Sequence, residues 1–215
     1  MLRFLLISMA GFSAVALASA DSISKVNGGI RIEASQNVGD LSTVNGSIEV
    51  GEGAHAQEVE TVNGSVQLQP RVVAESVETV NGSVRVGAEA QVLESAETVN
   101  GRITLDKRTQ VGGSISTVNG DLALDESRVE GELKTVNGDI TVGADSRVGG
   151  GILVEKPHGW SHGSNKTIPK IVIGPRAVVE GTLRFEREVK LYVSRSATIG
   201  KVEGATPVMF DGEAP

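Results

Sequence analysis

The tripeptide Val-Asn-Gly recurs seven times, with its asparagines at Asn27, Asn45, Asn63, Asn81, Asn100, Asn119 and Asn137. Their separations are 18, 18, 18, 19, 19 and 18 residues. Threonine precedes the valine in every copy but the first, where Lys25 stands. A period this strict marks a repeat architecture, in which each unit is one structural rung.

Apolar residues keep station around the motif. Four residues after each valine come Ile30, Ile48, Val66, Val84, Ile103, Leu122 and Ile140, and two further on Ile32, Val50, Leu68, Val86, Leu105, Leu124 and Val142. Mostly polar residues separate the two columns, so the alternation has period two, as in a half-buried strand. A third column, Ile23, Leu41, Val59, Val77, Ala96, Ile115 and Leu133, lies three residues before each valine. The β-branched content suits a pleated surface. One 18-residue unit cannot bury its own apolar side, but stacked copies can. The pattern predicts an all-β fold: a single-stranded, three-sided parallel β-helix. Roughly ten coils of ~18 residues would form a rod about 50 Å long. The valines count here as a further apolar column. Asn-Gly is taken as the corner, where asparagine tolerates and glycine freely adopts left-handed backbone. Stacked asparagines would hydrogen-bond amide to amide as a structural ladder. The same dipeptide could mark hairpins of an antiparallel meander. Identical columns, however, stack in register only between parallel strands.

Taken in order, residues 1–20 read as a cleaved secretory signal. Arg3 supplies the positive end, Phe4 to Leu17 the apolar run, and Ala18-Ser19-Ala20 the cleavage site. The expected location is therefore periplasmic or secreted, with no integral membrane segment in the mature chain. Residues 21–154 are the repeat array, with polar segments such as Gly51 to Ala56 and Asp106 to Gln110 expected at exposed, freely varying positions. Residues 155–170 break the period as an inserted loop carrying the sole tryptophan, Trp160, with His158 and His162. From Ile171 to Pro215 the solenoid resumes with a six-residue spacing, ending in Val208-Met209-Phe210 as a cap. The first coil, Ile23 to Ile32, shows no cap and can self-associate through its open edge.

Losing Arg3 takes the formal net charge from −7 to −8. An acidic rod is a poor ligand for nucleic acid or an anionic membrane. With no cysteine, the fold takes nothing from disulfides.

The repeated Thr-Val-Asn-Gly-x-Ile-x-Val, spanning residues 23–142, resembles the adhesin-type β-solenoid proteins, exported bacterial proteins of largely unknown function. Val129-Glu130-Gly131-Glu132-Leu133 and Val179-Glu180-Gly181-Thr182-Leu183 resemble the Val-x-Gly-x-Leu turns of bactofilins, which are polymer-forming scaffold proteins. That likeness implies a three-sided, right-handed helix that associates end to end without nucleotide. The chain departs from bactofilins in its cleavable signal and its C-terminal cap. Neither resemblance supplies catalytic residues.

No P-loop, nucleophile elbow or zinc-helix motif occurs. His55 stands alone, unlike the inter-coil base of hexapeptide acyltransferases. Glu60, Glu78 and Glu97 form a column with no basic partner cluster, read as a solvated edge. The expectation is a non-enzymatic envelope scaffold or adhesin-like module, without cofactor or metal. Its partners would be copies of itself or an envelope glycan or protein. The alternative is a carbohydrate-binding or carbohydrate-active protein using His158, Trp160 and His162. A further reading takes the threonine column as a flat ice-binding face.

Overall fold

The computed structural model describes residues 20–157 and 168–215. The expected signal up to Ser19, and loop residues His158, Trp160 and His162, lie outside the described residues. The described chain contains no helix. It is a parallel β-solenoid of about 9 turns, with strands stacked about 19 residues apart.

Each coil contributes up to three strands, and every strand pairs only with its equivalents above and below. The first face holds the motif strands, such as Ile23–Asn27, Leu41–Asn45 and Ala96–Asn100. The second face is a 10-stranded sheet running from Ile30–Ile32 to Val208–Phe210. The third holds two-residue strands such as Gln91–Val92, Gln110–Val111 and Arg128–Val129. The first and third faces merge into one 16-stranded sheet, because His55–Asn63 and Val73–Asn81 run unbroken from one to the other. Pairing is parallel and in register: Asn45 faces Asn63, Asn63 faces Asn81, and Asn81 faces Asn100.

Three predicted columns line the interior. Leu41, Val59, Val77, Ala96, Ile115 and Leu133 are fully buried, and so are both columns of the second face from Ile48 to Val142, to within 3 %. Ile23, at the open end, is only partly buried. Interior columns bury their apolar area against copies of themselves, so no coil need be stable alone.

The third face corrects the expectation for the polar segments. Ala56, Ala74, Val92, Val111, Val129 and Val148 are buried there, and Ala54 and Thr109, in the turn before it, are fully enclosed. A two-residue strand shows one inward side chain, too short a run for alternation to register. Asn-Gly does form a corner, but among the motif residues only Gly28 has the left-handed backbone expected there. Left-handed backbone occurs at Ser35, Gly53, Arg71, Glu89, Arg108, Glu126, Asp145 and Arg176, in the turn between the second and third faces. In that turn Ala54, Val72, Ala90 and Thr109 donate a backbone N–H three residues back, to Gly51, Gln69, Gly87 and Asp106. Pro70 and Pro175 stand immediately before the left-handed residue, where a type II turn favours proline.

In sequence, the insertion falls between Gly151–Val154 on the first face and Lys170–Ile173 on the second. It therefore occupies the corner at which the other coils carry Asn-Gly. Ile140 pairs with Ile171 across it, so stacking resumes without loss of register.

Candidate functional site

The first face and its corner hold every letter of the repeated motif, and four letters turn out to do four different jobs. The threonines point inward. Thr43, Thr61, Thr79 and Thr98 are each 4 % exposed. Their hydroxyls donate to the carbonyls of Gly28, Gly46, Gly64 and Gly82 in the coil below, at 3.1, 2.9, 3.0 and 3.0 Å. This overturns the ice-binding reading, since an enclosed hydroxyl offers no face to solvent.

The asparagines form a directed ladder. Each Nδ2 from Asn45 to Asn137 donates to the Oδ1 of the asparagine one coil below, at 2.9–3.1 Å. All the amides therefore point the same way. The acceptor end, Asn137 Oδ1, is met at 2.6 Å by Arg187 Nη1, which also donates to the Val136 carbonyl at 2.8 Å. Arg187 stands in the asparagine column's own register. Thr135 pairs with Val154 and Val154 with Phe185, and Arg187 follows Phe185 by two, as Asn137 follows Thr135.

The glycines are needed for space rather than for handedness. Among the motif glycines only Gly28 has positive φ, at 100°. At Gly46, Gly64, Gly82, Gly101, Gly120 and Gly138 an added Cβ would lie under 3.0 Å from the backbone of the motif glycine one coil below. The coils touch backbone to backbone at this corner, which no side chain permits.

The valines face water. Val44, Val62, Val80 and Val118 are 40 % exposed, and Val26 is 67 % exposed. The valine column is thus an apolar stripe along the outside of the rod, not a core column. Beside it lies a second outward column containing Ser24, Ser42, Glu60, Glu78, Glu97 and Ser116. The two stripes line a shallow groove along the first face. Partial burial first, then the charges of Glu97, Glu60 and Glu58, hold the Glu78 carboxyl above its ordinary range. Stacked acids of like sign repel; the column ends on Lys134, in register with Ser116 and under the attraction of Glu97.

Lys25, the one departure from threonine, has its own task. Its Nζ donates to the Gly29 carbonyl at 2.9 Å. In the next coils the equivalent carbonyls of Ser47, Ser65 and Ser83 accept the N–H of Ile30, Ile48 and Val66 from the coil below, at 3.0 Å. Among the described residues no coil lies beneath the first, and the lysine supplies a donor to that carbonyl.

Most remaining charges are spent between coils. Arg31 pairs with Glu49 at 2.6 Å, Arg85 with Asp106 at 3.0 Å, and Arg102 with Asp121 at 2.6 Å. At the left-handed turn Arg108 pairs with Glu89, and Arg176 with Asp145 at 2.6 Å. Burial is the largest single influence on Asp121 and pushes its carboxyl up, but the Arg102 guanidinium and the Asp139 backbone N–H together outweigh it and hold Asp121 below the usual carboxylate range. Among the described residues no group of three His, Asp or Glu side chains is placed to hold a metal ion. No helix among them is long and apolar enough to cross a membrane. No family model, curated protein or solved structure matches the chain, so the likeness to adhesin-type solenoids and bactofilins is carried by the quoted motifs alone.

Proposed function

We propose that the chain is an exported, non-enzymatic β-solenoid of the bacterial cell envelope. It acts as a scaffold, spacer or adhesin-like module. The single observation that carries this reading is the use made of its polar residues: threonines, asparagines and ion pairs are committed to joining one coil to the next. A rod stiffened in this way holds other things apart or together. The exposed valine stripe gives it a line of contact for an envelope protein or glycan.

The test is a pull-down from envelope fractions with wild-type rod and with Val62, Val80 and Val99 all changed to serine. Retention of an envelope component by the wild type, lost in the triple variant, is expected. Absence of retention by the wild type rejects the adhesin-like role. N-terminal sequencing of the exported protein should begin near Asp21, and an uncleaved internal protein would reject export.

End-to-end association through the first coil belongs to the same proposal. It would have to displace Lys25 from Gly29. Lys25→Thr is therefore expected to strengthen association seen by light scattering. Strict monomers of both forms at high concentration would remove this part.

The second reading, carbohydrate binding through residues 155–170, is favoured by the position of the insertion. It interrupts the one corner where the stacked amides run. Trp160→Ala should then abolish retention on a glycan matrix, and unchanged retention would reject it.

A further inference from the structure

The seven Asn-Gly pairs are chemically alike but structurally unlike. Asn-Gly is the dipeptide most open to deamidation, because glycine leaves the following backbone nitrogen unshielded, and asparagine is a thermolabile residue for this reason. In six of the seven pairs that nitrogen is engaged. The N–H groups of Gly28, Gly46, Gly64, Gly82, Gly101 and Gly120 donate to the backbone carbonyl of the asparagine one coil above, at 2.8–3.1 Å. The side-chain amides of Asn45, Asn63, Asn81, Asn100 and Asn119 are also held from both sides by the ladder.

Asn137-Gly138 differs in its backbone nitrogen and in what holds its side-chain oxygen. In the coil above, Glu155 still bonds to the Thr135 carbonyl and is followed by Lys156 and Pro157, so no motif asparagine stands in register with Asn137, and the Gly138 N–H meets no acceptor among the described residues. In place of a neutral amide, Asn137 Oδ1 receives the guanidinium of Arg187 at 2.6 Å. A cation on that oxygen stabilises the negative charge that appears when the neighbouring carbon is attacked.

We propose that Asn137-Gly138 is the covalent modification site of the rod, deamidating in the folded state while the other six pairs are shielded. The Gly138 nitrogen, once it has lost its proton to solvent base, bonds to Asn137 Cγ, and the carbonyl electron pair moves to Oδ1 beside Arg187. Collapse of this intermediate breaks the Cγ–Nδ2 bond and releases ammonia, which carries off a solvent proton. Water then opens the cyclic imide to aspartate or isoaspartate. With aspartate, the product places a carboxylate against Arg187 as an ion pair on one side, while on the other it loses the bond that Asn137 Nδ2 gives to Asn119 Oδ1. Between two asparagines the same product would lose the bond to the asparagine below with no cation on the other side to offset it.

The test ages the folded full-length protein at mildly alkaline pH in heavy-oxygen water and maps the label by peptide mass spectrometry. Asn137 is expected to react at least roughly tenfold faster than Asn63, Asn81 or Asn100, and Arg187→Met to slow it by a similar factor. In denaturant the seven sites should converge. Continued protection of Asn63, Asn81 and Asn100 in the same Arg187→Met sample shows that the variant is folded. Equal labelling of all seven sites in the folded protein would overturn the proposal. So would an Asn137 rate as slow as its neighbours, or one unchanged in folded Arg187→Met.

Discussion

At the Asn-Gly corner successive coils carry the same residues. At the left-handed turn after the second face, the equivalent position carries Ser35, Gly53, Arg71, Glu89, Arg108, Glu126, Asp145 and Arg176. Both corners are regular, and only one is repeated in sequence. The difference lies in what each corner asks of its side chains. The Asn-Gly corner brings backbone against backbone, so it admits only glycine, and it stacks one amide on another, so each asparagine needs an asparagine beside it. The left-handed turn is closed by a backbone hydrogen bond within the coil. Its side chains face outward, and several are matched by opposite charge between coils, as Glu89 is with Arg108 and Asp145 with Arg176.

This contrast ranks the effects of mutation. Gly82→Ala should be the most damaging, because the new methyl meets the Gly64 backbone rather than a movable side chain. A loss of about 3 kcal/mol in chemical denaturation is expected, the upper part of the range for overpacking. Asn81→Leu comes next. It leaves Asn63 Oδ1 and Asn100 Nδ2 without their ladder partners and should cost about 1–3 kcal/mol. An unchanged midpoint would mean that the asparagines simply face water. Glu89→Gly, at the other corner, should stay within about 1 kcal/mol of wild type. Relief of left-handed strain there is offset by a looser unfolded chain and a lost exposed ion pair. If Gly82→Ala and Glu89→Gly shifted the midpoint alike, the distinction between the corners would fail.

The smallest expected effect concerns the acidic column. Glu78 is held above its ordinary value of 4.5, so the folded state binds this proton more tightly than the unfolded chain does. Its ionisation therefore weakens the fold. The penalty is absent below the ordinary value and sets in as pH rises through the folded one. Glu78→Gln should stabilise the rod at neutral pH by about 0.5 kcal/mol, the scale of opposed like charges on neighbouring strands. The gain should vanish in acid. A stabilisation that grew in acid would have the wrong sign.

The same contrast explains what could be read in advance. The three inward columns and the asparagine ladder were legible because each demands like residues at fixed intervals. The third face was not, because a two-residue strand such as Gln91–Val92 shows one inward position and no alternation. The left-handed turn was hidden because Arg, Glu and Asp carry no signal for positive φ, although Pro70 and Pro175 beside it did. The valines misled for a different reason. A β-branched residue suits an extended strand on either side, so Val62 and Val80 looked like core residues while facing water. Lys25 was visible as the odd residue of its column, but only its bond to the Gly29 carbonyl of the first coil gives it a purpose.

The central claim is that equivalent residues of successive coils sit side by side on parallel strands. The chain has no cysteine, so a designed pair reports without background. The hydroxyls of Ser24 and Ser42 lie 2.9 Å apart, close enough for a disulfide of about 2.05 Å to replace them with little movement. Ser24→Cys with Ser42→Cys should form an intramolecular disulfide rapidly under mild oxidation, while Ser24→Cys with Ser65→Cys should not. Closure of the second pair, or failure of the first in a folded chain, would contradict in-register parallel stacking.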